Sequence, residues 1–206
     1  MAKQKYYVVW KGRQTGILPS WEACAASVTG YPGAEYKAFE SEAAARAAFQ
    51  REYESVKGRP ASAGQWLLAP QPPVIPSICV DAACSGAPGP LEYRGVETES
   101  GRQIFRQGPF EDGTNNVGEF LAIVHALAWL QTRGLSMPIY SDSENAIAWV
   151  QDGRCRTRLA RTGRNDSLFD LIARAEAWLS KYSPTAPILK WDTEAWGENP
   201  ADFGRK

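Results

Sequence analysis

The feature that most constrains this fold is a stretch rich in proline and glycine near the middle of the chain, at residues 54–76. Proline has a fixed φ and no backbone N–H donor, so such a stretch does not continue a helix or a central strand. We expect it to be a linker. It would divide the 206 residues into a small domain at 1–53 and a larger one at 77–206.

The composition excludes several classes of protein. Hydrophobic residues make up 44% of the chain and charged residues 22%, which are the values of a globular protein. Basic and acidic side chains balance at 23 each, so the chain is neither a basic tail nor an acidic solvating segment. No run approaches the roughly 18 apolar residues of a membrane helix, and the N-terminus lacks the pattern of a secretion signal. We expect no membrane partner.

The cysteines indicate a reducing compartment. There are four, and none forms a C-x-x-C pair: Cys24, Cys79, Cys84 and Cys155. Scattered cysteines of this kind are typical of free thiols and not of zinc or disulfide sites. We expect a cytoplasmic protein, and nothing in the sequence indicates a protein partner.

The front segment has the pattern of a compact ββαβα unit. Aromatic and β-branched residues alternate with turns, as strands prefer. Ser20 and Ser41 stand where helix N-caps are expected. The first predicted strand is at 6–10, a turn follows at 11–16, and a second strand comes directly after that turn. A helix at 21–28, a third strand at 36–39 and a helix at 42–54 complete the unit.

The rear segment predicts a mixed α/β sheet. Three strands come first, and helices and strands then alternate. The helix at 116–132 has the clearest signal because its apolar residues recur at helical spacing. The predicted elements are strands at 77–81, 92–98, 103–108, 137–142 and 187–191, helices at 116–132, 144–150 and 167–181, and a terminal turn or helix at 199–204.

Four acids lie where solubility does not require them. Asp81 and Asp142 each end an apolar strand, Glu119 lies in the first turn of the long helix, and Asp202 lies near the chain end. Adjacent parallel strands would bring the first two to one edge of the sheet. Two carboxylates about 4 Å apart repel by roughly 4 kcal/mol at an effective dielectric of 20, and divalent cations offset that repulsion. The alternative is that these acids simply face solvent.

Two sets of motifs carry a resemblance to a known family. In the rear segment they are D-A-A-C-S-G-A-P-G (81–89), G-T-N-N-V-G-E (113–119), Y-S-D-S (140–143) and A-D (201–202). Together they resemble type 1 ribonuclease H. In the front segment the residues at 6–13, 15–17, 20–21 and 30–34 resemble the hybrid-binding domain that precedes some members of that family.

The resemblance implies a ribonuclease H-like five-stranded sheet with flanking helices, preceded by a small ββαβα hybrid-binding domain. It also implies an endonuclease that hydrolyses the RNA strand of RNA–DNA hybrids with two Mg²⁺ ions, or Mn²⁺ as a substitute, leaving 3′-hydroxyl and 5′-phosphate ends. The implied metal ligands are Asp81, Glu119, Asp142 and Asp202. Many relatives carry a histidine before the last acid, and Glu198 stands in that segment here as a candidate for assisting product release.

The same resemblance implies the substrate contacts. RNA 2′-hydroxyl groups beside the cut would be contacted by Glu119, Asn115 and the backbone around Cys84, Ser85 and Gly86. A pocket for a phosphate of the DNA strand would be formed by Thr114, Asn116 and Thr157. In the front domain, hybrid binding would fall to Tyr7, Trp21, Tyr36 and Lys37, although Tyr7 and Trp21 could instead be core residues of a very small domain.

Some positions depart from the family pattern. Ala87 replaces an asparagine that many relatives have, Glu144 replaces a neutral amide, and Ala38 replaces a second lysine. The sole histidine, His125, is expected to have a packing or surface role.

Positive charge is concentrated in residues 154–164, which hold five arginines. This segment is either a solvated loop or a contact with the hybrid backbone, and we favour the second.

Two further functions stay open at this point. A metal-dependent DNA nuclease of the same fold would use the same acids, and a hybrid-binding protein without catalysis would use the front domain alone.

Overall fold

The computed structural model describes residues 5–39, 41–49, 53, 66, 69, 71–183 and 185–204. The chain divides into two compact units, one of residues 1–72 with 195–197 and the other of residues 73–194 with 198–206. Most of the linker predicted at 54–76 lies outside the described residues, so its boundaries stay a prediction. In the part of the chain that is described, no helix is both long and apolar enough to cross a membrane.

The front unit contains a three-stranded antiparallel sheet with the first strand in the centre. This confirms the predicted ββαβα pattern. Residues 50–52 and 54, which the second helix was expected to include, lie outside the described residues. The elements are β1 (Tyr6–Lys11), β2 (Gly16–Leu18), α1 (Trp21–Val28), β3 (Glu35–Phe39) and α2 (Glu42–Phe49).

One helix covers each face of this small sheet. Successive side chains of a strand point to opposite faces. Val9 accordingly packs in a buried cluster with Cys24 and Val28 of α1, whereas Val8 packs in a second cluster with alanines of α2. The hydroxyl oxygen of Ser20 accepts a hydrogen bond from the backbone N–H of Ala23 at 3.3 Å, which confirms the predicted N-cap.

The rear unit is built on a five-stranded mixed sheet, as predicted. The strand order is β6-β5-β4-β7-β8, with antiparallel pairing from β4 to β6 and parallel pairing from β4 through β7 to β8. The strands are β4 (Ile78–Cys84), β5 (Gly89–Glu97), β6 (Gln103–Gly113), β7 (Ile139–Ser141) and β8 (Ile188–Lys190). The helices are α3 (Asn115–Gln131), α4 (Glu144–Gln151) and α5 (Asp166–Lys181). The short helix α6 (Thr193–Trp196) contains the division between the two units at residue 195.

Helix α3 lies at the centre of the rear core. Phe120 and Ile123 are fully buried, and Leu130 is 1% exposed, in the same cluster as Val80 of β4 and Leu168 of α5. The helical spacing of the apolar residues therefore did identify the buried side of α3. All residues from Val117 to Val124 are buried, so the first turns of α3 are covered on every side and Glu119 lies in the interior with them.

Some predicted boundaries are wrong. Strand β4 was expected to end at Asp81 but continues to Cys84, because its antiparallel pairing with β5 continues to Leu91. Strand β6 is also longer than expected, and α6 was not predicted. Of the two forms predicted for residues 199–204, the structure has the turn.

Candidate active site

Three of the predicted acids meet at the edge of the rear sheet. Asp81 comes from β4, Glu119 from α3, and Asp142 directly follows β7. One carboxylate oxygen of each lies within 4.8 Å of the others. Asp81 and Glu119 are buried, at 7% and 8% exposed, and Asp142 is half-buried. The adjacent parallel strands β4 and β7 bring the two aspartates together, as the sequence predicted.

A close helix–sheet contact places Glu119. A Cβ atom added to Gly118 would lie 2.6 Å from Leu91 Cδ1 and 2.7 Å from the Cβ of Ala82. The backbone of α3 can therefore approach the sheet closely at this turn only because residue 118 has no side chain. This approach brings the following residue, Glu119, to the strand that carries Asp81.

Burial and neighbouring charge raise the pKa of two of these acids, Asp81 and Glu119. Burial raises the pKa of Asp81 to about 8, with further contributions from the charges of Asp142, Glu119 and Asp202. Burial also raises the pKa of Glu119, although a hydrogen bond from Ser143 opposes that shift. A site that disfavours its own negative charge to this extent favours a bound cation.

Asp142 gives the clearest test of whether a metal fits. Its Oδ1 atom is buried and has no hydrogen-bond partner among the described residues. Its backbone carbonyl accepts a hydrogen bond from Lys190 Nζ at 2.6 Å, so that ammonium group holds the main chain. Buried carboxylate oxygens are normally hydrogen-bonded or metal-bound. An all-oxygen set with one unpartnered oxygen fits a hard divalent cation such as Mg²⁺.

The other two predicted acids lie outside this group of three. Asp202 is half-buried, and its Oδ2 accepts a hydrogen bond from the N–H of Gly204 at 2.9 Å. Its charge nevertheless contributes to the raised pKa of Asp81. Glu198 is exposed.

Two residues that the sequence analysis missed anchor the segment of Asp202. Asn199 is buried, and its side chain donates to the carbonyl of Val80 at 2.9 Å and accepts from the N–H of Ala201 at 2.8 Å. Arg94 of β5 donates to the carbonyls of Ala201 and Asp202 at 2.7 and 2.5 Å. The sequence held a signal for each of them. The Asn-Pro pair at 199–200 indicates a turn, and Arg94 is a charged residue within a strand predicted to lie in the sheet.

The predicted phosphate-pocket residues line one groove. Its volume is about 680 Å³, and Arg156 and Arg158 line it as well. The turn between β4 and β5 reaches the groove through Ala87 and Pro88. The predicted residues on its walls are Thr114, Asn115, Asn116 and Thr157.

The segment predicted to contact RNA, residues 84–86, comprises the last residue of β4 and the first two residues of that turn. The thiol of Cys84 donates to the carbonyl of Gly113 at 3.3 Å, and the N–H of Ser85 donates to the carbonyl of Pro90 at 3.0 Å. Gly86 has a φ of +131°, which is a glycine conformation.

Three aromatic residues form a cluster on the front unit. The ring centroids of Tyr7 and Trp21 are 5.7 Å apart, and those of Trp21 and Tyr36 are 6.1 Å apart. Trp21 is 47% exposed, so it is not a core residue. Lys37 follows Tyr36 on β3 and pairs with Val8, which places it on the opposite face of the sheet.

Comparison with known proteins identifies both units. Residues 76–181 match the family model for RNase H, and residues 5–49 match the model described as the ribonuclease H1 N-terminal domain. The chain belongs to the ribonuclease H family. This confirms the predicted family, its fold and the conclusion that the chain is an enzyme.

Relatives of this ribonuclease H include curated bacterial proteins. The chain is 32% identical over 122 residues to the ribonuclease H of Paramagnetospirillum magneticum, covering 53% of this chain and 74% of the relative. It is 32% identical over 101 residues to that of Syntrophomonas wolfei, covering 49% and 68%. A solved structure of LC11-RNase H1, isolated from compost, aligns with a TM-score of 0.39 and 23% identity, covering 57% of this chain and 84% of that chain.

The sole histidine of this ribonuclease H has a packing role. The ring of His125 stacks on Phe105, with the centroids 4.1 Å apart and the planes within 8° of parallel. Burial lowers its pKa, which favours the neutral ring. His125 lies on α3 six residues beyond Glu119, and its ring contacts are with aromatic residues of β5 and β6.

Proposed function

We propose that this ribonuclease H cleaves the RNA strand of RNA–DNA hybrids at a two-metal site, leaving 3′-hydroxyl and 5′-phosphate ends. The observation that carries the proposal is the convergence of Asp81, Glu119 and Asp142 around a buried carboxylate oxygen without a hydrogen-bond partner. The family and the relatives named ribonuclease H support the substrate class.

The residues have distinct proposed roles around the metals. Asp142 and Asp202 would hold one ion, and Glu119 would hold the other. Asp81 would be the ligand common to both, because it is buried and its pKa is raised by the charges of all three other acids. When bound, Mg²⁺ or Mn²⁺ lowers the pKa of a bound water and neutralises charge on the phosphate. Glu198 is exposed, lies four residues before Asp202 in the chain, and is proposed to assist product release.

In this proposal, different residues contact the RNA strand and the DNA strand. Asn115 and Glu119 lie near the start of α3, and with the turn at 84–86 they would require a 2′-hydroxyl group on the strand that is cut. Thr114, Asn116 and Thr157 would bind a phosphate of the other strand without reading its bases. Their position on a single groove supports this assignment.

The front unit is proposed to hold the hybrid. The exposed rings of Trp21 and Tyr36, together with Tyr7, form a surface on which sugars and bases can stack. Lys37 would contact a phosphate from the edge strand β3.

The test compares end-labelled RNA–DNA hybrid, double-stranded RNA and double-stranded DNA, each with Mg²⁺ and with a chelator. We expect Mg²⁺-dependent cleavage of the hybrid in its RNA strand only, with fragments that a polymerase can extend from a 3′-hydroxyl. Cleavage of the DNA duplex would indicate a DNA nuclease, and binding without cleavage would indicate a hybrid-binding protein. Either result would overturn the proposal.

A further inference from the structure

The structure divides the five arginines of residues 154–164 into two groups. Three of them form ion pairs within the chain: Arg156 with Asp152, Arg161 with Asp166, and Arg164 with Asp112. The side chains of Arg154 and Arg158 are exposed, and neither side chain makes a hydrogen bond or ion pair with any described residue. Of these last two, only Arg158 lines the groove.

A buried acid connects the two walls of that groove. Asp112 lies two residues before Thr114 on one wall and is 8% exposed. Its Oδ2 accepts hydrogen bonds from the hydroxyl of Thr162 at 2.8 Å and from Arg164 Nε at 3.0 Å, both on the arginine-rich segment. Its φ is +48°, an unusual conformation for a residue with a side chain, and one that aspartate tolerates better than most.

A fully buried amide completes the connection. Asn165 is 0% exposed, and its Nδ2 donates to the carbonyls of Asp112 at 3.3 Å and Ala160 at 3.0 Å. Its Oδ1 accepts from the N–H of Thr162 at 3.0 Å. At the other end of the segment, the N–H of Cys155 donates to Glu176 Oε1 at 2.9 Å. The backbone around Arg158 is therefore fixed on both sides.

We propose that Asp112 and Asn165 are positioning residues that hold Arg158 at the groove, where its guanidinium group binds a backbone phosphate of the DNA strand. This rests on the proposed function. A cation whose backbone is already fixed loses less conformational freedom on binding than one on a mobile loop. The ion pairs of Arg161 and Arg164 shape the loop, and Arg158 supplies the unpaired charge.

The first experiment compares Arg158→Ala with Arg154→Ala. Each variant removes one exposed, unpaired charge, and the two positions are four residues apart in the chain. Binding of labelled hybrid is measured against salt concentration in full chains that also carry Asp142→Asn to prevent cleavage. We expect Arg158→Ala to weaken binding about five- to tenfold at 0.1 M salt and to reduce the log–log salt slope by about 1, and Arg154→Ala to leave both nearly unchanged. Equal effects of the two variants would overturn the proposal.

The second experiment tests whether Asp112 acts through Arg158. Asp112→Asn keeps the shape of the residue and removes its charge, and Arg164→Gln breaks the same ion pair from the exposed side. We expect each to weaken hybrid binding when Arg158 is present and to have no further effect when Arg158 is already alanine. Equal losses in both backgrounds, or no loss in either, would overturn the positioning role.

Different results would overturn the proposed function and the role of Arg158. If the wild-type chain neither binds nor cleaves the hybrid, the proposed function fails. If it does both while Arg158→Ala behaves like Arg154→Ala, only the inference about the groove fails.

Discussion

At the scale of single residues, the defining property of the site is the difficulty of ionising Asp81. In the unfolded chain the carboxyl group of Asp81 loses its proton near the ordinary pKa of 3.8, whereas in the folded, metal-free protein it keeps the proton up to about pH 8. The folded state therefore binds more protons between these values, and the free energy of unfolding falls as pH rises through this range.

Replacement of Asp81 by asparagine removes this penalty. In a chelating buffer we expect Asp81→Asn to melt a few degrees above the wild type at pH 8 and close to it at pH 4, since about 1 kcal/mol corresponds to 2–4 °C at this size. Mg²⁺ should raise the melting temperature of the wild type and have much less effect on the variant. Thermal denaturation measures all of these values. A variant less stable than the wild type at pH 8 would contradict this account of Asp81.

Local patterns single out the acids of the site, and the resemblance to type 1 ribonuclease H favoured a metal site over acids that simply face solvent. Asp81 and Asp142 follow apolar strand residues, and Glu119 precedes the apolar repeat of α3. Their supporting contacts could not be predicted in this way. Arg94 and Asn199 bind backbone atoms more than 100 residues away in the chain, and no local pattern specifies such a partner.

At the scale of the elements, the site depends on how closely α3 approaches the sheet. Residue types and helical spacing predicted the elements of the described chain except α6, and the order of strands and helices favoured β4 and β7 as parallel neighbours. The end of β4 could not be predicted in this way, because the antiparallel register with β5 extends the strand three residues past Asp81. Pairing between strands sets that boundary, and the residue types of one strand do not show it.

A methyl group at position 118 tests this close approach. We expect Gly118→Ala to lower the free energy of unfolding by about 1–3 kcal/mol, because the new Cβ overlaps Leu91 and Ala82. It should also weaken Mg²⁺ binding, since α3 carries Glu119 away from Asp81. Denaturant unfolding and calorimetric metal titration measure the two effects. A loss of stability with unchanged metal affinity would show that this contact does not position the site.

At the scale of the whole molecule, the chain combines two units that the comparisons identify separately. Each has its own sheet and its own buried cores. We propose that the rear unit cleaves the hybrid and that the front unit provides additional binding to it.

The aromatic cluster provides the test of that division. Trp21 is exposed, so Trp21→Ala should change stability little while weakening hybrid binding by the 1–3 kcal/mol typical of one stacked base. Cleavage at saturating hybrid should be retained. Phe49→Ala is the matched control, because Phe49 is also exposed, at 40%, and makes no ring contact with the cluster among the described residues. Equal binding losses in the two variants would count against a specific role for Trp21.

The central claim is that Asp81, Glu119 and Asp142 form one cation-dependent centre for RNA cleavage. The most direct measurement is the rate of hybrid cleavage by Asp142→Asn at saturating Mg²⁺, with folding checked by circular dichroism and hybrid binding measured in parallel. We predict a loss of about a thousandfold or more in rate, with the fold and hybrid binding retained. A folded variant that binds the hybrid and cuts it at close to the wild-type rate would contradict the account.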